Sequence, residues 1–241
     1  MVAWVAIDIV LWGFITRYMN SVTGQRFNFV PSILGAVLLR DFLVRVMQGV
    51  TTAFFEDVWS RNFLNVFATP LKVSEYLTGL VITGVGTSLV GLVVMLALAT
   101  TVFGLSFFTY GLALIPFVMV LFLSGIALGI FGAAIVLRLG PASEWLIWPI
   151  PSILSPFVGV FYPLSTLPGW MQAIGRLLAP SYVFEGMRAV VAGGAASLGL
   201  LAVGGGLAIF YLLLAALTFT SVYRSAIRTG LIARYSAESL S

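Results

Sequence analysis

The 241-residue chain contains no His and no Cys. Imidazole and thiolate chemistry are therefore unavailable, and with them disulfides, haem ligation by His and nearly every transition-metal site. Carboxylates, guanidinium groups and aromatic rings remain. The chain holds 8 acids against 12 Lys and Arg, and the acids are scattered singly except for Glu56 and Asp57. Such spacing offers no convergent carboxylate set for general acid–base work. Three charge groups invite explanation. Arg40, Asp41 and Arg45 interrupt an otherwise apolar run, where each charge costs about 2.5–3.5 kcal/mol on insertion scales. Asp41 and Arg45 are four residues apart and can pair on a helix, which leaves Arg40 in need of a partner such as Asp8. Glu56, Asp57, Arg61 and Asn62 open a polar–apolar segment, in which Asp57 can pair with Arg61. Glu185 and Arg188 lie one turn apart near three prolines. The Arg40, Asp41 and Arg45 group is either a structural ion network or a place where an anionic headgroup meets Arg40 or Arg45. Both readings stay open on sequence alone.

The composition identifies the medium in which these groups sit. The chain is 61% hydrophobic and 8% charged, where soluble domains carry about 25% charged residues. Mean hydropathy is +1.12. So few charges cannot clothe a soluble fold, and the chain reads as an integral membrane protein. The net charge of +4 comes with no basic run, so nucleic acid is not an expected partner. The excess fits orientation against membrane lipids instead.

Measured against about 20 apolar residues per crossing, six stretches qualify as spans: 1–16, 31–55, 75–103, 110–137, 145–162 and 197–223. They are continuous apolar runs, unlike the alternation of a β-barrel, so the fold class is an all-α, six-span helical bundle in a single permease-like domain over 1–241. The first stretch is short, carries Asp8 and lacks a cleavage site, so it is no signal peptide. A tilted helix or a thinned membrane would account for its length, and missing N-terminal residues are the preferred account. With the N-terminus inside, Arg61, Lys72, Arg138, Arg224, Arg228 and Arg234 fall on the inner side. Arg17, Arg26, Arg176 and Arg188 fall outside, which places both termini in the cytoplasm. Small residues mark helix contacts in lipid. Gly125, Gly129 and Ala133 form one ridge, and Gly84 with Ser88 and Thr87 with Gly91 form others, either for packing within the chain or for a dimer seam.

Two segments are too patterned to be simple loops. In 56–70, Trp59, Phe63, Val66 and Phe67 follow helical spacing. Glu56 and Asp57 sit where a helix start favours anions, and Pro70 disfavours helix at Thr69. This is an amphipathic helix on the cytoplasmic side, either lying on headgroups or docking a soluble partner. In 163–194, Pro168 opens one helix with Trp170, Ile174, Leu177 and Leu178 on its apolar face. Pro180 ends it, and Ser181 can cap a second helix bearing Tyr182, Glu185 and Arg188. The two pieces are too short to cross, so they form a re-entrant hairpin on the outer side, whose freed backbone must be buried or line a cavity. Arg176, Glu185 and Arg188 are expected to tie this hairpin to neighbouring spans. Pro149, Pro151 and Pro156 make the fifth span irregular. Trp145, Trp148 and Tyr162 suit an interfacial aromatic belt, and Trp148, Phe157 and Tyr162 are also candidates to line a pathway.

These residues resemble a known family, the permease subunits of type-2 ATP-binding-cassette (ABC) exporters, which move drugs, glycolipids or polysaccharides outward in bacteria. Pro163, Pro168 and Trp170 match its P-x-x-x-x-P-x-W/L stretch. Ala179-Pro180-Ser181 with Tyr182, and then Glu185-x-x-Arg188, match the two stretches that follow. Glu56, Arg61-Asn62 and Thr69-Pro70-Leu71 look like its coupling helix. The family's usual amphipathic helix before the first span is missing here, in keeping with an absent N-terminal segment. The resemblance implies a half-transporter in the bacterial inner membrane, in which two permease chains, forming a homodimer, join two copies of an ABC ATPase. Glu56, Asp57, Trp59, Arg61, Asn62, Phe63 and Pro70 would then contact that ATPase. No cofactor would bind this chain, and ATP and Mg would belong to the partner. The sequence agrees, because its one lysine, Lys72, follows Leu71 and no G-x-x-x-x-G-K-[ST] loop exists. The expected function is export of an amphipathic or lipid-linked substrate. A membrane-embedded lipid-modifying enzyme lacks the necessary groups, and an ATP-independent transporter lacks the internal repeat such proteins often show.

Overall fold

The computed structural model describes residues 2–22, 30–60, 71–104 and 111–229, with residues 2–6, 8, 9, 30 and 31 described in backbone only. Every regular element among the described residues is helical. In chain order these are α1 (Val2–Val22), α2 (Gly35–Trp59) after one π-turn (Val30–Leu34), α3 (Val73–Phe103) and α4 (Leu114–Leu139) after a 3₁₀ turn (Gly111–Ala113). A 3₁₀ segment, Pro141–Leu146, follows. Then come α5 (Ile150–Val158), α6 (Gly169–Leu177), α7 (Ala179–Val191) and α8 (Leu198–Arg228).

Three helical stretches are long and apolar enough to cross a membrane: Val73–Phe103, Gly111–Leu139 and Leu198–Arg228. The large apolar side chains on the outside agree with that setting. Leu112, Ile82, Val93, Leu198 and Leu217 are all more than 60% exposed, a surface that lipid covers and water would not tolerate. The hydroxyl groups tell the same story. Those of Thr78, Ser88, Thr100, Thr101, Thr218 and Thr220 donate to carbonyl oxygens four residues back in their own helices. Where water is scarce, that is the nearest available acceptor. The chain is a multi-pass membrane protein.

The core is built around α4, whose membrane-length window is 72% buried against 17% for α8. Its broadest interfaces are with α8 on one side and α2 on the other, and α2 in turn packs on α3. Close backbone approach makes this possible. A Cβ added at Gly125 would lie 2.7 Å from Val46 Cβ, and one at Gly129 would lie 2.7 Å from Val50 Cβ. From α3, a Cβ at Gly84 would meet the Val50 nitrogen at 2.8 Å, and one at Gly49 of α2 would meet the Gly84 oxygen at 2.9 Å. The small-residue ridges of α3 and α4 thus grip α2 of the same chain.

Several boundaries differ from the sequence reading. The first helix runs to Val22, through the stretch read as a polar loop, because neither Gly nor Pro interrupts residues 14–22. Its 21 residues extend about 31 Å at 1.5 Å per residue. Gly13 of α1 lies under the Phe103 ring of α3. The fifth stretch is not one regular helix. It comprises the Pro141–Leu146 segment, a turn, and nine-residue α5, which starts with Pro151 in its first turn and contains Pro156. Gly159, at φ +68°, ends α5 in a left-handed conformation that a side chain would strain.

Candidate functional site

Arg40, Asp41 and Arg45 converge with Tyr162 on one cleft of about 660 Å³ between α2 and α5, lined also by Gln48 and by Trp12 of α1. The elements explain the arrangement. Arg40 and Arg45 bracket a turn of α2 whose other face is held by the glycine contacts, and Trp12 stacks on Phe161 at 5.1 Å between ring centroids. Arg40 Nη1 donates to Asp41 Oδ1 at 3.1 Å. This corrects the expectation that Arg40 would be left to seek Asp8. Neighbouring side chains on a helix diverge at Cβ, but the long arginine stem curls back to its neighbour. The Asp8 side chain lies outside the described residues. The pair is largely desolvated, with side-chain exposures of 27% and 11%. The Arg45 stem and guanidinium lie over Gly91 of α3, within 3.1–3.5 Å of where a Cβ would stand. Among the described side chains, the cleft brings two guanidinium groups and one carboxylate into a medium where charge is poorly screened. Tyr162 donates its hydroxyl to the Pro156 oxygen at 2.9 Å, which fixes the ring at the rim.

The other two pathway candidates lie elsewhere. Phe157 meets Trp170 edge-on at 6.1 Å, and Trp148 meets Phe55 at 6.2 Å. Trp148 therefore joins an aromatic group at the end of α2. There Phe55 also contacts Trp59 at 5.6 Å, and Phe54 meets Phe219 of α8 at 6.1 Å.

Glu56, Asp57 and Trp59 form the last turn of α2, so Glu56 and Asp57 end a helix and do not begin one. Phe54 and Phe55 are buried and nothing before Ser60 breaks the helix, so α2 simply continues. Arg61, Asn62, Phe63 and Pro70 lie outside the described residues, and so does the expected Asp57–Arg61 pair. Asp57 has another partner: Tyr76 of α3 donates its hydroxyl to Asp57 Oδ2 at 2.8 Å. One residue earlier, Glu75 Oε2 accepts from the backbone nitrogen of Lys72, three positions before it, at 2.9 Å and so caps α3. The segment between α2 and α3 is thus tied at both of its roots. Sequence reasoning missed the tyrosine latch. The one available signal was an acid at the end of one apolar run facing a tyrosine at the start of the next.

In the 163–194 segment the helix–break–helix pattern is present. Pro168 precedes α6, but the break falls at Leu178, and Pro180 lies in the first turn of α7, where a missing N–H costs nothing. Ser181 consequently lies inside α7 and caps nothing. Trp170, Ile174 and Leu177 turn outward and are exposed. Tyr182 donates its hydroxyl to the Arg176 oxygen at 2.7 Å, and Tyr211 of α8 donates to the Leu177 oxygen at 2.8 Å, so two phenols satisfy carbonyls freed at the break. Glu185 Oε1 accepts from the Leu164 nitrogen at 2.7 Å and from Arg188 Nη2 at 2.8 Å. Arg188 Nη1 donates to the Gly159 oxygen at 2.7 Å. The Glu185–Arg188 turn therefore fastens α7 to the backbone that follows α5. Arg176 departs from expectation, bonding Gln172 Oε1 of its own helix at 3.4 Å.

None of these groups forms a catalytic constellation. The arrangement is a charged cleft in an apolar bundle, with a fastened hairpin at one end and a latched connection at the other. A comparison with curated proteins gave no match. Residues 1–192 match the family described as ABC-2 type transporter, in its membrane component. That match spans α1 to α7, including the charged cleft, the latched connection and the fastened hairpin, and the chain accordingly belongs to the ABC-2 type transporter family as a permease subunit, the partner of an ABC ATPase.

Proposed function

We propose that this permease is half of an exporter that moves an amphipathic or lipid-linked anion outward, driven by a separate ATPase. Two copies of the chain pair with two ATPase subunits in the bacterial inner membrane, and ATP and Mg stay on the ATPase. The chain crosses six times, through α1, α2, α3, α4, the 141–158 stack and α8, with both termini cytoplasmic. Residues 56–70 form the coupling segment that receives the ATPase. The α6–α7 pair re-enters from the outer side, and its exposed Trp170, Ile174 and Leu177 suit a membrane interface. The observation that carries the substrate reading is the cleft holding Arg40, Asp41 and Arg45 in an otherwise apolar bundle.

The coupling follows two-state logic. ATP closes the ATPase dimer, which favours one arrangement of the spans, while substrate in the cleft biases the other. The latch between Asp57 and Tyr76 makes α2 and α3 move as one lever, so displacement at 56–70 reaches Arg40 and Arg45 along α2. The test is transport by the complex in proteoliposomes, with a nitrobenzoxadiazole-labelled fatty acid as probe. ATP should drive the probe to the leaflet away from the ATPase. Arg40→Gln with Arg45→Gln should slow this by about tenfold or more per folded complex, the equivalent of roughly 1.4 kcal/mol. Normal transport by that double variant, or movement toward the ATPase side, would refute the reading.

A further inference from the structure

Five helices, α2, α4, α5, α7 and α8, border a cavity of about 300 Å³. On α4 its liners are Ser124, Ala127, Leu128 and Phe131, and on α8 they are Tyr211, Leu214 and Ala215, both sets at helical spacing. Ala127 and Ala215 are buried, and their short side chains leave room that larger residues would fill. The wall is hydrocarbon in character. Ser124 donates its hydroxyl to the Val120 oxygen at 2.7 Å, and Tyr211 donates its own to the Leu177 oxygen at 2.8 Å, so neither turns a donor to the cavity. The remaining polar liners, Arg40 and Ser155, also line the charged cleft, which places them at that end. Water needs about 2–4 polar partners to stay in a cavity, and the side chains along the rest of this wall supply none. An apolar cavity of about 150 Å³ takes up benzene and stays dry, and this one is about twice that size.

The mouth of this cavity faces lipid. Phe131 and Leu214 line it and are exposed on the outside of the bundle. Leu214 stands one turn before Leu217 on α8, within the exposed apolar surface that lipid covers. Leu43, Ala127 and Phe184, by contrast, are buried at its inner wall. We infer that the cavity is a lipid site, in which one acyl chain of a bilayer phospholipid enters between Phe131 and Leu214 and lies against α2, α4 and α7. The head and the second chain stay in the surrounding leaflet. The bilayer supplies this occupant in excess, and a hydrocarbon chain matches the wall it meets. The cavity is at the small end of ligand-sized pockets, with room for one chain and not for two. A chain seated there touches α2, which carries the Asp57 latch, and α7, the fastened half of the hairpin. The inference does not rest on the exporter reading, and no charge in the cleft enters it.

The test uses the full chain in phosphatidylcholine nanodiscs. The probe is a phosphatidylcholine with a diazirine at the end of one acyl chain, and labelled residues are mapped by mass spectrometry after illumination. Label should reach the buried wall residues Leu43, Ala127 or Phe184 as well as exposed Phe131 and Leu214. Ala127→Phe, which fills the cavity from α4, should abolish label at Leu43 and Phe184 and leave label at exposed Leu217 unchanged. Ala215→Leu should do the same from α8, and the map of the unaltered chain stands whether or not either variant folds. A phosphatidylglycerol probe with the same chain should label the inner wall to the same extent. Label confined to exposed residues would overturn the proposal, as would inner label that survives in either folded variant. A strong preference for the glycerol head would also overturn it, since the head and not the chain would then be recognised. The chain has no cysteine, so Leu214→Cys reports on the mouth. Rapid disulfide formation between two copies would place a second copy there and overturn entry from lipid.

Discussion

Arg188 and Asp57 do opposite jobs with the same chemistry. Arg188 spends its guanidinium on the backbone oxygen of Gly159 and on Glu185, which in turn holds the Leu164 nitrogen. Removing one member of such a set strands the others in a poorly hydrated place. Arg188→Ala should therefore destabilise the protein by on the order of 3 kcal/mol, and Arg188→Lys by less, since an ammonium can still reach one oxygen but not both in a fork. Thermal unfolding in detergent reads both, and equal losses would show that the fork is unimportant. The Asp57 carboxylate accepts the Tyr76 hydroxyl, a single bond whose loss in Tyr76→Phe should cost only about 1 kcal/mol. Its larger effect should be on coupling. ATP hydrolysis by the complex should persist while probe transport falls, and a parallel fall in both would contradict a coupling role. That Arg188 and Glu185 act together was legible from their spacing of three. Their backbone partners 21 to 29 residues away were not, because long-range backbone contacts leave no periodic trace.

Among the elements, α2 carries the account, since it bears the cleft charges, the aromatic end and the latch. It is gripped by Gly84 on α3 and by Gly125 and Gly129 on α4, all close enough that a Cβ would collide with Val46 or Val50. Gly129→Leu should accordingly push α2 away and cost about 1–3 kcal/mol of stability or more, measurable as a lower unfolding temperature. Gly86, beside which a Cβ meets nothing within 4 Å, should accept Ala without loss. Similar effects at the two positions would refute the packing account. The long apolar helices were readable from hydropathy because lipid imposes one length and one composition on them. The ends were less readable. α1 outran its apolar stretch because Arg17 and Asn20 do not break a helix, and α2 ran through Glu56 because charge does not end a helix where no proline or glycine intervenes. Prolines misled in the opposite direction. Pro180 looked like a stop, yet it serves as the start of α7, since a proline serves equally well after one helix and in the first turn of the next.

At the scale of the whole molecule, the chain is the permease part of an ABC transporter. Several of its charged groups fasten helices and turns, and the family it belongs to works with an ABC ATPase. The central claim is that residues 56–70 receive that ATPase and pass its closure to α2. The most direct measurement is co-purification. The tagged chain is expressed with its neighbouring genes, extracted in mild detergent, and its companions are identified and quantified. The account predicts a stoichiometric ATPase, lost on Glu56→Ala with Arg61→Ala while the permease remains folded. Well-folded permease that emerges with no ATPase, or an ATPase retained by that double variant, would contradict it.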